Sequence, residues 1–166
     1  MGSPSIACIG IIGKFNDPLH ISIFSPHEAS RLELSFLLNS CLDLFEIRRK
    51  HTSVDQDLGL LHAFDERFAA YGWLTNTDVK FLIIVDMGAQ PVSGRDEKKV
   101  PPLTFRALQS AYIKLLQNPF YQANDGTTPL GRTTMFTSEH LKTANNKFVQ
   151  EIHHIGESWS VDTKGD

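Results

Sequence analysis

The sequence predicts an α+β domain, a five-stranded antiparallel sheet with one helix on one face and two on the other. Three observations carry this expectation. Five short runs of aliphatic and aromatic residues are punctuated by turn-prone residues. Three longer stretches repeat apolar residues at three- and four-residue spacing. Their order is β-β-α-β-β-β-α-α, and such a sheet has two faces that three helices can cover. The chain's 166 residues suffice for one sizeable core and are too few for two. One domain over residues 1–156 and a tail over 157–166 are therefore expected.

The elements follow in order. Residues 5–13 are rich in Ile and read as a buried strand. Asn16-Asp17-Pro18 signals a turn, and Leu19-His20-Ile21-Ser22-Ile23-Phe24 alternates as a half-buried strand does. The two form a hairpin. Ser25-Pro26-His27-Glu28 has the pattern of a capping box with proline at the first helical position, so a helix is expected from about Pro26 to Arg49. Its Leu34, Leu37, Leu38, Cys41, Leu42 and Phe45 form a broad apolar stripe. Arg48, Arg49 and Lys50 close the last turn, where positive charge suits the helix dipole.

Three strands follow, at 58–64, 68–75 and 79–86, separated by Asp65-Glu66 and Asn76-Thr77-Asp78. Connections this short make an antiparallel meander. Phe81 to Val85 is the most apolar stretch and suits a central strand covered on both faces. Residues 87–102 set the charged cluster Arg95-Asp96-Glu97-Lys98-Lys99 among glycines and prolines and read as a solvated loop. A helix from Pro102 or Leu103 runs through Leu108, Ala111, Tyr112, Leu115 and Leu116 to Asn118, where Pro119 stops it. After a polar loop over 122–133, a last helix spans about Ser138 to Ile155 with Leu141, Ala144, Phe148 and Ile152 on one side. Gly156 takes the position just past its end, and Glu157 to Asp166 reads as frayed.

Composition narrows the function. With 41% hydrophobic and 21% charged residues, neither disorder nor a membrane bundle is indicated. The formal charge of −3 is spread without a basic stripe, so no nucleic-acid partner is expected. Cys8 and Cys41 cannot build a disulfide framework and lie among apolar residues. No basic segment precedes the first apolar run, against a signal peptide. Ile6 stands where N-myristoylation needs Ser or Thr, and no run approaches the ~18 apolar residues of a membrane span. A cytoplasmic protein is expected.

The search for chemistry comes back empty. Gly13-Lys14 would need a glycine at the place of Cys8 and Ser or Thr at the place of Phe15 to be a phosphate loop. His153 and His154 point about 100° apart on a helix and cannot chelate one ion as an i, i+4 pair would. No His or Cys pair has structural-zinc spacing, and no Gly-x-Ser-x-Gly elbow occurs. Asp55 with Asp57, and Asp65 with Glu66, are ordinary loop and turn acids. No catalytic residue, metal ligand or cofactor follows. Asn118-Pro119-Phe120-Tyr121 contains the Asn-Pro-Phe tripeptide that some trafficking domains recognise, and it also reads as a helix stop backed by two aromatics.

One resemblance is specific. Asp57-Leu58-Gly59-Leu60-Leu61, then Tyr71-Gly72-Trp73-Leu74-Thr75-Asn76-Thr77-Asp78-Val79-Lys80-Phe81, then Ile84-Val85-Asp86 and Asn118-Pro119-Phe120-Tyr121 look like the sedlin branch of the TRAPP (transport protein particle) subunits. The resemblance covers roughly Ile6 to Ile155. It implies a longin, profilin-like α-β-α sandwich. It further implies a non-catalytic adaptor in a tethering complex that activates a Rab GTPase in ER–Golgi and intra-Golgi transport. The partners implied are other TRAPP subunits, with the Rab and Golgi membranes reached only through the assembled complex. In that family the first helix carries a Ser-Leu-Asp triplet whose acid is tied to partner contact. Here the triplet is Cys41-Leu42-Asp43, so the acid stays and the serine departs. The Pro101-Pro102 pair and the chain after Gly156 also depart from the family pattern.

The candidate protein interface is the first helix and its neighbouring strand, with Phe36, Asp43 and Arg48 as its markers and an exposed apolar patch expected there. Asp43, two residues from Cys41 and Phe45, is expected near the edge of the stripe. A partner contact and a plain solvated acid both account for it; Ile47 at i+4 offers no salt partner. The rival from another class is a small-ligand sensor with a PAS-like sheet, which would need a central cavity. A longin domain of a membrane-anchored fusion protein lacks the heptads and span that should follow.

Overall fold

A computed structural model describes residues 4–51, 56–64, 67–88, 102–119, 121 and 139–162. Five strands, β1 (Ser5–Ile12), β2 (Pro18–Ile23), β3 (Gln56–Phe64), β4 (Phe68–Leu74) and β5 (Lys80–Asp86), form one sheet in the order β2-β1-β5-β4-β3. All four pairings are antiparallel. The helices are α1 (Arg31–Arg49), α2 (Pro102–Leu116) and α3 (Glu139–Asp162). The expected hairpin and the β3-β4-β5 meander are both present, and the most apolar run is β5, the middle strand, buried along its whole length.

Period-two alternation divides the sheet's side chains between two cores. Phe81, Ile83 and Val85 of β5 join Ile9 and Ile11 of β1 and Ala69, Tyr71 and Trp73 of β4 on one face. Phe105, Leu108, Ala111 and Tyr112 of α2, and Phe148, Ile152 and Trp159 of α3, cover them. Leu82, Ile84, Cys8 and Ala70 point the other way, against Leu34, Leu38, Cys41 and Phe45 of α1. One helix thus covers one face and two cover the other. Gly72 leaves room for the side chains packed over it: a Cβ there would lie 2.6 Å from Leu61 Cδ1 and 2.7 Å from Phe45 Cζ.

Two sequence expectations are corrected. The first helix begins at Arg31, preceded by a 3-10 turn over His27–Ser30, and neither Pro26 nor Ser30 makes a side-chain cap bond. The tighter turn carries His27 inward, 4% exposed and 3.2 Å from Asp86, so a tertiary contact replaces the capping box. The last helix does not stop at Ile155. It runs through Gly156 to Asp162, because its continuation buries Trp159 and the bare Gly156 backbone accepts the Phe24 ring. The Arg95–Lys99 cluster, Pro101, the 122–133 loop, and the side chains of Leu141 and Ala144 lie outside the described residues.

Candidate protein interface

Among the described residues, the most closely partnered polar side chains tie elements of the fold together. Asp86, at the end of β5, accepts from Arg67 Nε and Nη2 at 3.1 and 3.0 Å through Oδ2, and from the Gly88 N–H at 2.8 Å through Oδ1. His27 Nε2 stands 3.2 Å from the same Oδ2. Arg67 also lies over the Phe68 ring, with 5.0 Å to its centroid, and His27 meets that ring edge-on. This staple joins the turn before α1, the start of β4 and the end of β5. Sequence reasoning missed it because its three side chains are 40 and 19 residues apart and no local spacing links them.

Cys8 and Cys41 are both buried, and burial pushes each thiol up to about 12. Neither forms a thiolate at neutral pH. Lys14 lies in a closed turn: the Gly13 N–H donates to the Asp17 carbonyl at 2.8 Å, and the Asn16 N–H to the Gly13 carbonyl at 3.1 Å. His153 packs on Phe24, with 5.0 Å between ring centroids, while His154 is exposed. Among the described residues no three His, Cys, Asp or Glu side chains come close enough to hold a metal ion. Asp55, Asp65 and Glu66, and the Asp57 side chain, lie outside those residues.

Exposed large apolar side chains stand at Phe15, at Leu103, Ile113 and Leu116 of α2, and, as the set that includes a sequence-expected marker, on the outer side of α1. At about 100° per residue, Leu32, Phe36, Asp43 and Ile47 fall within roughly 60° of arc. Leu32 is 78% exposed, Phe36 71% and Ile47 58%. Asp43 is exposed between them. The core line of Leu34, Leu38, Cys41 and Phe45 runs down the opposite side. Asp43 is therefore not at the stripe's edge. Two residues on a helix turn about 200°, so an acid two places from both Cys41 and Phe45 faces away from them.

Arg48 parts company with the other two markers. It is half-buried, and its Nη1 donates to the Leu58 carbonyl of β3 at 2.7 Å. Phe36 and Asp43 thus share one ridge with Leu32 and Ile47, while Arg48 ties the end of α1 to β3. The four-residue step from Leu32 to Phe36 and from Asp43 to Ile47 is the sequence signal for the ridge. It was masked by the wider apolar stripe on the opposite side.

The segments that carry the resemblance are structural. Thr75 closes the β4–β5 turn: its N–H and Oγ1 both donate to the Val79 carbonyl, at 3.0 and 2.9 Å, and its Oγ1 accepts the Val79 N–H at 3.0 Å. After α2 the Asn118 N–H donates to the Leu115 carbonyl at 3.2 Å, and the Tyr121 N–H to the Asn118 carbonyl at 3.0 Å. Tyr121 packs against the core, and burial raises its hydroxyl above the usual tyrosine range. Asn118-Pro119 is a helix stop, as the structural reading has it; Phe120 lies outside the described residues.

Comparison with known proteins gives a concordant answer. The family model described as Sedlin matches residues 11–158. The chain is 32% identical over 155 residues to a Trafficking protein particle complex subunit 2-like protein of Dictyostelium discoideum, covering 90% of this chain and 95% of that protein. It is 31% identical over 137 residues to the protein of the same name from Mus musculus, covering 79% and 94%. From the end of β1 into the helix that buries Trp159, the family model spans most of the layered domain described above, and the chain belongs to the sedlin family.

Proposed function

We propose that this chain is a non-catalytic assembly subunit of a trafficking protein particle complex, and that it docks through the outer ridge of α1. The observation that carries the docking surface is the ridge itself: three large apolar side chains, Leu32, Phe36 and Ile47, stand in solvent on a helix whose other side is fully packed. Singly exposed apolar residues are ordinary, but an aligned set on one helix is what a partner's groove reads. The names of the relatives supply the class of partner, the other subunits of such a complex.

In this reading Phe36 is the apolar anchor and Asp43 the polar element that sets register beside it. Arg48 acts indirectly, by holding α1 against β3. Nucleotide exchange on a Rab GTPase is then a property of the assembled complex. The chain reaches Golgi and ER–Golgi membranes from the cytoplasm as part of that assembly. No described helix is long and apolar enough to cross a membrane. The space that a PAS-like sensor would keep open between sheet and helices holds Phe81, Phe105, Tyr112 and Trp73 instead.

The test is affinity purification of the tagged full chain from cytosol, read by mass spectrometry, beside a variant carrying Leu32→Ser and Phe36→Ser. Tethering subunits that co-purify with the parent and are lost from the folded variant support the proposal. Their absence from the parent overturns the class, and their full retention by the variant overturns the surface.

A further inference from the structure

We propose that the β1–β2 turn is a lipid-contact tip, where Lys14 and Phe15 seat on an anionic bilayer. Phe15 is 85% exposed, more than any other large apolar side chain among the described residues. Its exposure is imposed by an anchored turn. Asn16, at φ 63°, holds the reversal. Its side-chain Oδ1 accepts the buried Lys80 ammonium at 2.9 Å. The Asp17 carboxylate folds back over Gly13, so closely that a Cβ there would lie 2.5 Å from Oδ1. A frayed loop could turn its phenylalanine inward; this one presents it.

A cation stands beside the ring, while the one acid of the turn, Asp17, folds back over Gly13. The Lys14 ammonium stands 6.0 Å from the Phe15 ring centroid, so cation and ring share the tip. Lys80, which grips Asn16, also lies in electrostatic reach of Glu46, Arg49, Asp78 and Asp17, which sets the C-terminus of α1 beside the turn. There Arg49 pairs with Asp78 at 3.0 Å. Lys14 and Lys50 are exposed and make no ion pair among the described residues, with Glu46 the exposed acid nearby.

This arrangement fits a bilayer better than an acidic peptide. A peptide ligand needs a groove or a sheet edge, whereas a ring projecting from a turn needs only a fluid apolar phase to enter. Aromatic rings favour the headgroup boundary, with lysines reaching back to anionic headgroups. Each such lysine strengthens partitioning about fivefold, and an inserted phenylalanine about tenfold. The product is at most a few hundredfold, lowered by the neighbouring Asp17 and Glu46, weak alone and effective when the chain is one of several contacts in an assembly. The inference does not depend on which partner covers α1.

The experiment uses the full chain carrying Phe15→Trp, whose native Trp73 and Trp159 are buried and give a constant background. Emission is recorded with phosphatidylcholine vesicles alone and with vesicles holding about 30 mol % phosphatidylserine. Sedimentation with the same vesicles compares the parent chain with Phe15→Ser, Lys14→Glu and Lys50→Glu. The expected result is a blue shift, quenched by brominated acyl chains, with the anionic vesicles only. Sedimentation should fall about tenfold for Phe15→Ser and at least fivefold for each lysine reversal. No spectral change at millimolar lipid, sedimentation indifferent to Phe15→Ser, or an equal shift with soluble polyglutamate overturns the proposal.

Discussion

Replacing Gly156 by alanine tests the packing of α3 most sharply, because two effects of opposite sign meet at one atom. In an exposed helix interior the change stabilises by about 1 kcal/mol. Here the added Cβ would stand 2.5 Å from both Cε1 and Cζ of Phe24, against the ~3.5–4.0 Å that carbon atoms prefer. One partner must yield by at least an ångström. Phe24 is 7% exposed, with His153 on its ring, so moving it disturbs packed neighbours. Overpacking of this kind costs about 1–3 kcal/mol. The net expectation is a loss centred on about 1 kcal/mol, or a fall in Tm of about 2–4 °C for a chain of this size.

The assay is thermal unfolding of the single variants and of Gly156→Ala combined with Phe24→Leu, closing a double-mutant cycle. Once the ring is gone, alanine at 156 should be neutral or stabilising relative to Phe24→Leu alone. A Gly156→Ala protein that melts at or above the parent, or a cycle with no coupling between 24 and 156, would refute the packing argument.

Three further outcomes are expected. Phe36→Ser should leave stability within about 0.5 kcal/mol and weaken assembly by about 2 kcal/mol, near thirtyfold; Arg48→Met should do the reverse, losing about 1 kcal/mol of stability with its bond to the Leu58 carbonyl. Paired titration calorimetry and denaturant melts separate the two. Asp86→Ala strips the acceptor from the part-buried Gly88 N–H and the buried His27, and from Arg67, which is itself 59% exposed and so counts for little. A loss of about 2 kcal/mol in urea, at unchanged m-value, is expected, with Asp86→Asn losing less. Burial, and then the neighbouring His153, hold His20 below the usual histidine range. As pH falls below about 6.5 the unfolded chain therefore takes up the proton first. Stability should be full above that pH and decline beneath it, and His20→Gln, in unfolding curves across pH 5–7, should flatten the decline.

The sequence alone determined the layers and the class. Strand alternation, helical spacing and short polar connections are local rules, so the β-β-α-β-β-β-α-α order and the central place of Phe81 to Val85 could be read from neighbouring residues. The Tyr71–Phe81 and Asn118–Tyr121 segments led to the family for the same reason, since each is a complete turn or helix stop within a few residues.

Only the tertiary structure decided what depended on distant partners. Ser25-Pro26-His27-Glu28 has every local mark of a helix start, yet Asp86 draws His27 inward and the α-helix opens at Arg31. Gly156 reads as a terminator, yet Phe24, 132 positions earlier in the chain, makes it the one residue small enough to let the helix go on to bury Trp159. Asp43 and Arg48 lie on the same helix, yet β3 claims the arginine and leaves the acid on the outer ridge with Phe36. In each case a contact remote in sequence outweighs a local preference worth about 1 kcal/mol, and no reading of adjacent residues contains that contact.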